Sequence, residues 1–399
     1  MTTYTLQHPE KGEISFSDKK RHLWLLSLFW PLVPVITVWS YLQSGNQWAL
    51  LTPLAIGFVL VPIFDYFIGT DRTNPPEEIV PLLDQDNYYR WLTYAAIPLH
   101  FIALGVAVWF VGTYPLDIGF YIGFAAVVGL FSGLSINTAH EIGHKNTKLD
   151  RLLSRITLAV CGYGHFCIEH NAGHHRDVST PEDPASSRMG ESIYRFMLRE
   201  IPGAAKRGWK AEAERLQRKG HGFWSVHNHV LQSYALTLVT QGGAVLIFGW
   251  IVLPFLVLHN FLAWFQLTSA NYIEHYGLLR AKKENGRYER CQPHHSWNAN
   301  HIFSNLVLFQ LERHSDHHAN PARPYQSLRS FEDLPELPSG YFGMYFIAYF
   351  PSLWYRVMDE RLLSIPHING DFSKVNLDPK NADALKAKYA GFGTPAYSS

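Results

Sequence analysis

Cysteine is scarce and its placement is uninformative. The three residues, Cys161, Cys167 and Cys291, make no CxxC spacing, so a disulfide framework, a zinc ribbon and a four-cysteine iron site are unsupported. Neither sign of charge is in excess overall. Lys and Arg number 34 against 33 Asp and Glu, a formal +1 over 399 residues, which argues against a nucleic-acid partner. Charge is also missing locally, because no Asp, Glu, Lys or Arg occurs from Gly222 up to Glu274. A helix rises about 1.5 Å per residue and the hydrocarbon core is about 30 Å thick, so about 20 residues span it. That stretch holds two crossings, and the near-zero mean hydropathy hides a segregated chain. The first 22 residues are too polar for a signal-peptide core and the apolar stretch after them is too long for one, so it reads as a retained first span.

Six spans are predicted, near Leu23–Leu42, Trp48–Gly69, Trp91–Val111, Ile118–Thr138, Leu231–Trp250 and Leu253–Tyr272. Short turns join them in pairs, the third pair turning near Pro254. The three tight turns carry no Lys or Arg, and all the basic residues fall on the other side. The positive-inside rule puts that side, with both termini, in the cytoplasm. The expected fold is all-α, an integral-membrane bundle of six transmembrane helices in three hairpins under a cytoplasmic cap. Residues 1–22 form a cytoplasmic segment, 23–138 the first four spans, 139–230 a histidine-rich and basic cytoplasmic region, 231–275 the last two spans and 276–399 a histidine-rich cytoplasmic C-terminal region. Tyr341–Trp354 is apolar but short, and reads as a packed or interfacial helix. Met197–Lys219 is helix-like and basic (Arg199, Lys206, Arg207, Lys210, Arg215, Arg218, Lys219), a face for anionic lipid, for an acidic protein or for solvent alone.

Histidine is abundant: 21 residues, most after position 139. His140 and His144 stand i, i+4 at the cytoplasmic end of the fourth span, on one helix face. His170 and His174 repeat the spacing, with His175 next. His275 ends the sixth span, and His314, His317 and His318 lie three and four apart. A lone histidine is more often a packing residue than a ligand. Clusters converging on one side of a membrane point instead to metal, and imidazole suits Fe, Zn, Cu and Ni. Nine ligands exceed the four that one zinc takes, so two ions with open positions fit the count. His294 and His295 lack an i−3 or i−4 partner and read as surface or supporting residues. Nearby carboxylates, Glu141, Glu169, Glu274, Asp316, Asp177, Asp183 and Glu191, are candidates to hold the second ring nitrogen of a ligand.

Three readings compete. His140-Glu141-x-x-His144 matches HExxH, the helix of a membrane zinc metalloprotease, which would leave six of the histidines unexplained. A metal transporter would spread ligands over several depths. A fatty-acyl desaturase or hydroxylase shares the histidine boxes.

Four blocks decide among these: Asn137-Thr-Ala-His-Glu-Ile-Gly-His-Lys145, Glu169-His-Asn-Ala-Gly-His-His-Arg-Asp-Val178, Asn271-Tyr-Ile-Glu-His-Tyr-Gly-Leu278 and Leu311-Glu-Arg-His-Ser-Asp-His-His318. With them the chain resembles the alkane 1-monooxygenases, membrane-bound non-haem diiron alkane ω-hydroxylases, over nearly its full length. The third block separates that family from general membrane desaturases. The resemblance implies that His140, His144, His170, His174, His175, His275, His314, His317 and His318 hold two irons. It implies O2 as co-substrate, terminal hydroxylation of n-alkanes to 1-alkanols, rubredoxin as electron donor with an NAD(P)H-dependent rubredoxin reductase behind it, and a bacterial inner membrane. How the nine divide between the irons is left open.

An alkane dissolves in the bilayer, so its entry is expected between spans. Asp65 is an ionisable group at a span end, a functional hypothesis by default. Val61, Gly57 and Leu54 share its helix face, and Gly57 leaves a gap. That face is expected to form part of a linear slot, with His259 on the sixth span as a further candidate. The alternative is that Gly57 serves close helix packing.

Overall fold

The computed structural model describes residues 2–392. Six helices are long and apolar enough to cross a membrane: Leu23–Ser44, Gln47–Ile68, Asn87–Thr113, Ile118–Gly143, His229–Phe248 and Val252–His275. The chain is a multi-pass membrane protein. Its fifth helix shows why, since Leu238, Val239, Leu246 and Ile247 are exposed on its outer face, and only lipid accommodates such a stripe at no cost.

The helices pair through short turns, with two departures from expectation. The last pair turns at Gly249, whose φ of 89° suits glycine alone. Pro254 falls three residues into the next helix, where an absent N–H costs nothing. The fourth and sixth helices run past Thr138 and Tyr272 and carry His140 and His275 on their last turns. These two helices pack closely at glycines. A Cβ on Gly129 would lie 2.6 Å from the His259 carbonyl oxygen, and one on Gly133 would lie 2.7 Å from Gln266. Small residues at such crossings let backbones approach.

The rest of the chain builds a cap on the histidine-bearing side. A hairpin of two antiparallel strands, Thr2–His8 and Gly12–Asp18, opens the chain where none was expected. It is tied down by Tyr89 Oη donating to Asp18 (2.6 Å) and Tyr4 Oη donating to Asp86 (2.6 Å). Helix Lys148–Leu158 starts at Thr147, whose hydroxyl accepts from the Asp150 N–H. Helix Ile193–Arg218 starts likewise at Ser192. The apolar segment after Gly340 is two helices, Tyr341–Ala348 and Pro351–Leu363, packed against the sixth span.

Candidate metal centre

His140 and His144 sit on the last turn of the fourth span. The second box is helical from Phe166 to Asp177, with a π-turn over His170–His174. A π-turn widens the helix by one residue per turn and often marks a functional site. His314–Ala319 is one short helix carrying the final three rings.

All nine rings converge, in two groups. One holds His140, His144, His170, His175 and His317; the other holds His174, His275, His314 and His318. In each, one potential ligand atom per residue lies within 4.8 Å of all the others. His140 and His317 face each other Nε2 to Nε2 at 3.0 Å, His170 and His175 at 3.0 Å, and His175 and His317 at 3.2 Å. In the second group His314 Nε2 lies 2.9 Å from His318 Nε2 and 3.3 Å from His275 Nε2. A ring nitrogen is either donor or acceptor, so His317 and His314, each facing two others, cannot be satisfied by hydrogen bonds alone. A cation at the centre of each group satisfies every lone pair together. Both dyads split between groups: His175 and His317 go to the first, His174 and His318 to the second. Consecutive helix residues point about 100° apart, which sends the two rings of each dyad to different centres.

Electrostatics agree with that reading. Burial, and then the neighbouring rings, hold His144, His170, His175, His314, His317 and His318 well below the ordinary imidazole range, so they are neutral with free lone pairs. His174 is the exception. Burial opposes its charge, yet Asp183 outweighs burial and raises it. Asp183 Oδ2 lies 2.9 Å from His174 Nδ1 and accepts also from the Ser186 hydroxyl (2.7 Å).

The other carboxylates fall differently. Glu141 turns from the rings to Lys145 Nζ (2.8 Å) and accepts from the Tyr325 N–H, so the HExxH glutamate does not face the centre as a protease base would. Glu169 is held by Arg207, and Asp316 by Arg323 and Arg329. Asp177 pairs with Arg176 and Glu191 with Arg199. Glu274 Oε2 lies 3.2 Å from His314 Nε2, on the inner side of the ring. His295 accepts from the Gln292 N–H at Nδ1 (2.9 Å) and meets Glu289 at Nε2 (3.2 Å). Both its nitrogens are thus engaged, away from the two groups.

Beneath the rings lies a narrow chamber of about 50 Å³, lined by His140, His170, His314 and Glu274 and otherwise mainly by apolar side chains. Leu134, Gln266 and Tyr345 line it and also line a second cavity further into the bundle, which Leu54 and Gly57 border. Val61, Asp65 and His259 lie off this line. Val61 is fully buried in the core. Asp65 accepts from the Ser304 N–H (3.0 Å) and fills the place a side chain at Gly340 would need. His259 bonds Asn260 (3.0 Å). For Val61 and Asp65 the cause is a π-turn over Ile56–Leu60. Its extra residue rotates the two halves of the second span, so Leu54 and Gly57 no longer share a face with Asp65.

A fatty acid desaturase family profile matches residues 116–348. Alkane 1-monooxygenase 1 of Alcanivorax borkumensis is 51% identical over 99% of this chain and 98% of its own. The alkane 1-monooxygenase of Ectopseudomonas oleovorans is 49% identical over 96% of this chain and 95% of its own, and that of Pseudomonas putida 49% over 94% and 92%. The chain belongs to the alkane 1-monooxygenase family. As a member of it, it is an oxidoreductase whose histidine boxes coincide with the two ring clusters.

Proposed function

We propose that this chain hydroxylates n-alkanes at the terminal carbon, using O2 and two irons held by the nine histidines. The observation that carries the reading is the pair of adjacent imidazole clusters opening onto an apolar chamber. His140, His144, His170, His175 and His317 would hold one iron, and His174, His275, His314 and His318 the other. Bound there, the irons supply oxygen activation, which no side chain can.

The chain's own residues do the rest. Leu54, Gly57, Leu134 and Tyr345 leave only a thin passage, so a linear chain is admitted end first and its terminal methyl arrives nearest the rings. The apolar lining excludes water from the reacting end. Asp183 holds the proton of His174 Nδ1, which keeps Nε2 free for metal. Glu274 stands on the chamber side of His314, placed to exchange a proton there. Glu141, Glu169 and Asp316, with their cations, brace the helices that carry the rings.

Electrons must come from outside, since the chain has no CxxC pair. Rubredoxin, reduced by its NAD(P)H-dependent reductase, is the donor that fits the family. The basic residues gathered on one side of the spans support a cytoplasmic position for the clusters and both termini, under the inner membrane. On helix Ile193–Arg218, Arg199, Arg207 and Arg215 are engaged by Glu191, Glu169 and Glu212. Lys206, Lys210, Arg218 and Lys219 are exposed and suit an acidic donor protein. Turnover should then slow as salt rises.

The test is iron quantification of the purified chain, with a medium-chain alkane, rubredoxin and reductase added. Two irons per chain and 1-alkanol as product are expected. One zinc per chain, or an alkene as product, would refute the reading.

A further inference from the structure

The fourth span ends between two cavities. His140 borders the apolar chamber. His144, one turn on with its ring 4.8 Å from that of His140, borders a polar cleft of about 240 Å³ open to water on the histidine-bearing side. The five-ring group is thus a partition between the two. We propose that the polar cleft is the route by which a hydrated divalent cation reaches the histidine clusters. The proposal rests on the reading of those histidines as metal ligands.

Size separates the two cavities. A cavity needs about 10–15 Å³ of such space to hold one water, so six waters around a divalent ion need about 60–90 Å³. The cleft accommodates that, and the chamber of about 50 Å³ does not. An ion entering the chamber would have to shed its water among apolar groups, at great cost.

Charge separates them too. Four carboxylates, Asp84, Asp86, Glu141 and Asp150, border the cleft with two cations, Arg90 and Lys145. Asp150 is paired with Arg90 (2.5 Å), and Asp86 with Arg21. Asp84 makes no ion pair among the described residues; its contact is the Ser327 hydroxyl at 3.2 Å. Of the four, it is the carboxylate an arriving cation can meet without displacing a partner charge.

The floor is built to open. Lys145 Nζ rests on Glu141 at 2.8 Å, with the lysine side chain 24% exposed. An arriving double charge displaces the ammonium from Glu141 by repulsion and takes its place. The next atom inward is His144 Nε2, buried and without a hydrogen-bond partner. Waters are exchanged for a carboxylate and then for imidazoles, so the ion is never bare.

The experiment uses the full chain, depleted of metal, and follows Co2+ uptake by visible absorption. Ala322 and Asn146 are exposed residues bordering the cleft, and Ala322→Trp or Asn146→Trp narrows it without disturbing the interior. Each should slow the second-order uptake about tenfold, the low end of what electrostatic focusing in a cleft can supply, with the same final Co2+ content. Asp84→Asn should slow it severalfold. Gly57→Trp, which fills the apolar cavity beyond the chamber, should load at the parent rate. Tryptophan variants that load fully at the parent rate would overturn the route alone. A parent chain that takes up no Co2+ would overturn the ligand reading, and the route with it.

Discussion

Asp183 holds His174 by its outer nitrogen, 2.9 Å from Oδ2 to Nδ1. Among the described residues, no other carboxylate contacts one of the nine histidines on the nitrogen facing away from its group. Arg207 joins Asp183 to Glu169, so one guanidinium braces the second histidine box from two sides. Asp183→Asn should lower metal affinity by about 10–100-fold, as loss of such a contact does elsewhere. A Co2+ titration of variant and parent measures it. Equal affinities would show that His174 needs no such support.

Glu141→Gln gives the contrary expectation. The carboxylate serves Lys145 and Tyr325, so metal content should be close to that of the parent and alkanol formation should persist. Complete loss of alkanol formation with full metal content would show that Glu141 takes part in the reaction rather than bracing its helix.

Gly57→Trp probes the slot. A Cβ at Gly57 meets only Phe342, at 3.9 Å, so the position tolerates a side chain, and an indole would fill the cavity beside it. Long alkanes should be lost first and short ones retained. The product distribution over an alkane series reads this out, and an unchanged profile would remove the slot.

Glu200 lies buried on helix Ile193–Arg218, accepting from the Thr268 hydroxyl (2.7 Å) and from Asn271 (3.3 Å). Burial pushes its carboxyl up to about 7. The folded state therefore binds this proton more tightly than the unfolded one. Its contribution is intact below the unfolded value of about 4.3 and is lost as pH rises through about 7. Glu200→Gln should flatten that decline and raise the thermal midpoint by a few degrees at pH 8. A variant whose midpoint tracks the parent from pH 5 to pH 8 would contradict it.

The spans and the histidine boxes were legible because both rest on local periodicity. An i, i+4 pair declares its shared face, and an uncharged stretch declares its solvent. Asp183 was visible only as one acid among seven, since it lies nine positions after His174, beyond a helix end and a stretch of irregular chain. The slot was half legible. Leu54 and Gly57 border the second cavity, but an α-helical count carried the face on to Val61 and Asp65, and the π-turn at Ile56–Leu60 leaves no mark in composition. The division of the nine rings needed long-range packing, because each dyad contributes to both groups.

With one ion in each group, as proposed, that division would bind the fates of the two. His174 with His175, and His317 with His318, are each fixed to one stretch of backbone while serving separate centres. A backbone shift that suits one ion tugs on the other, so occupancy of the first orders two rings of the second. Filling would then be all-or-none, with half-loaded molecules scarce, and an enzyme built this way would meet O2 with both metals or with neither.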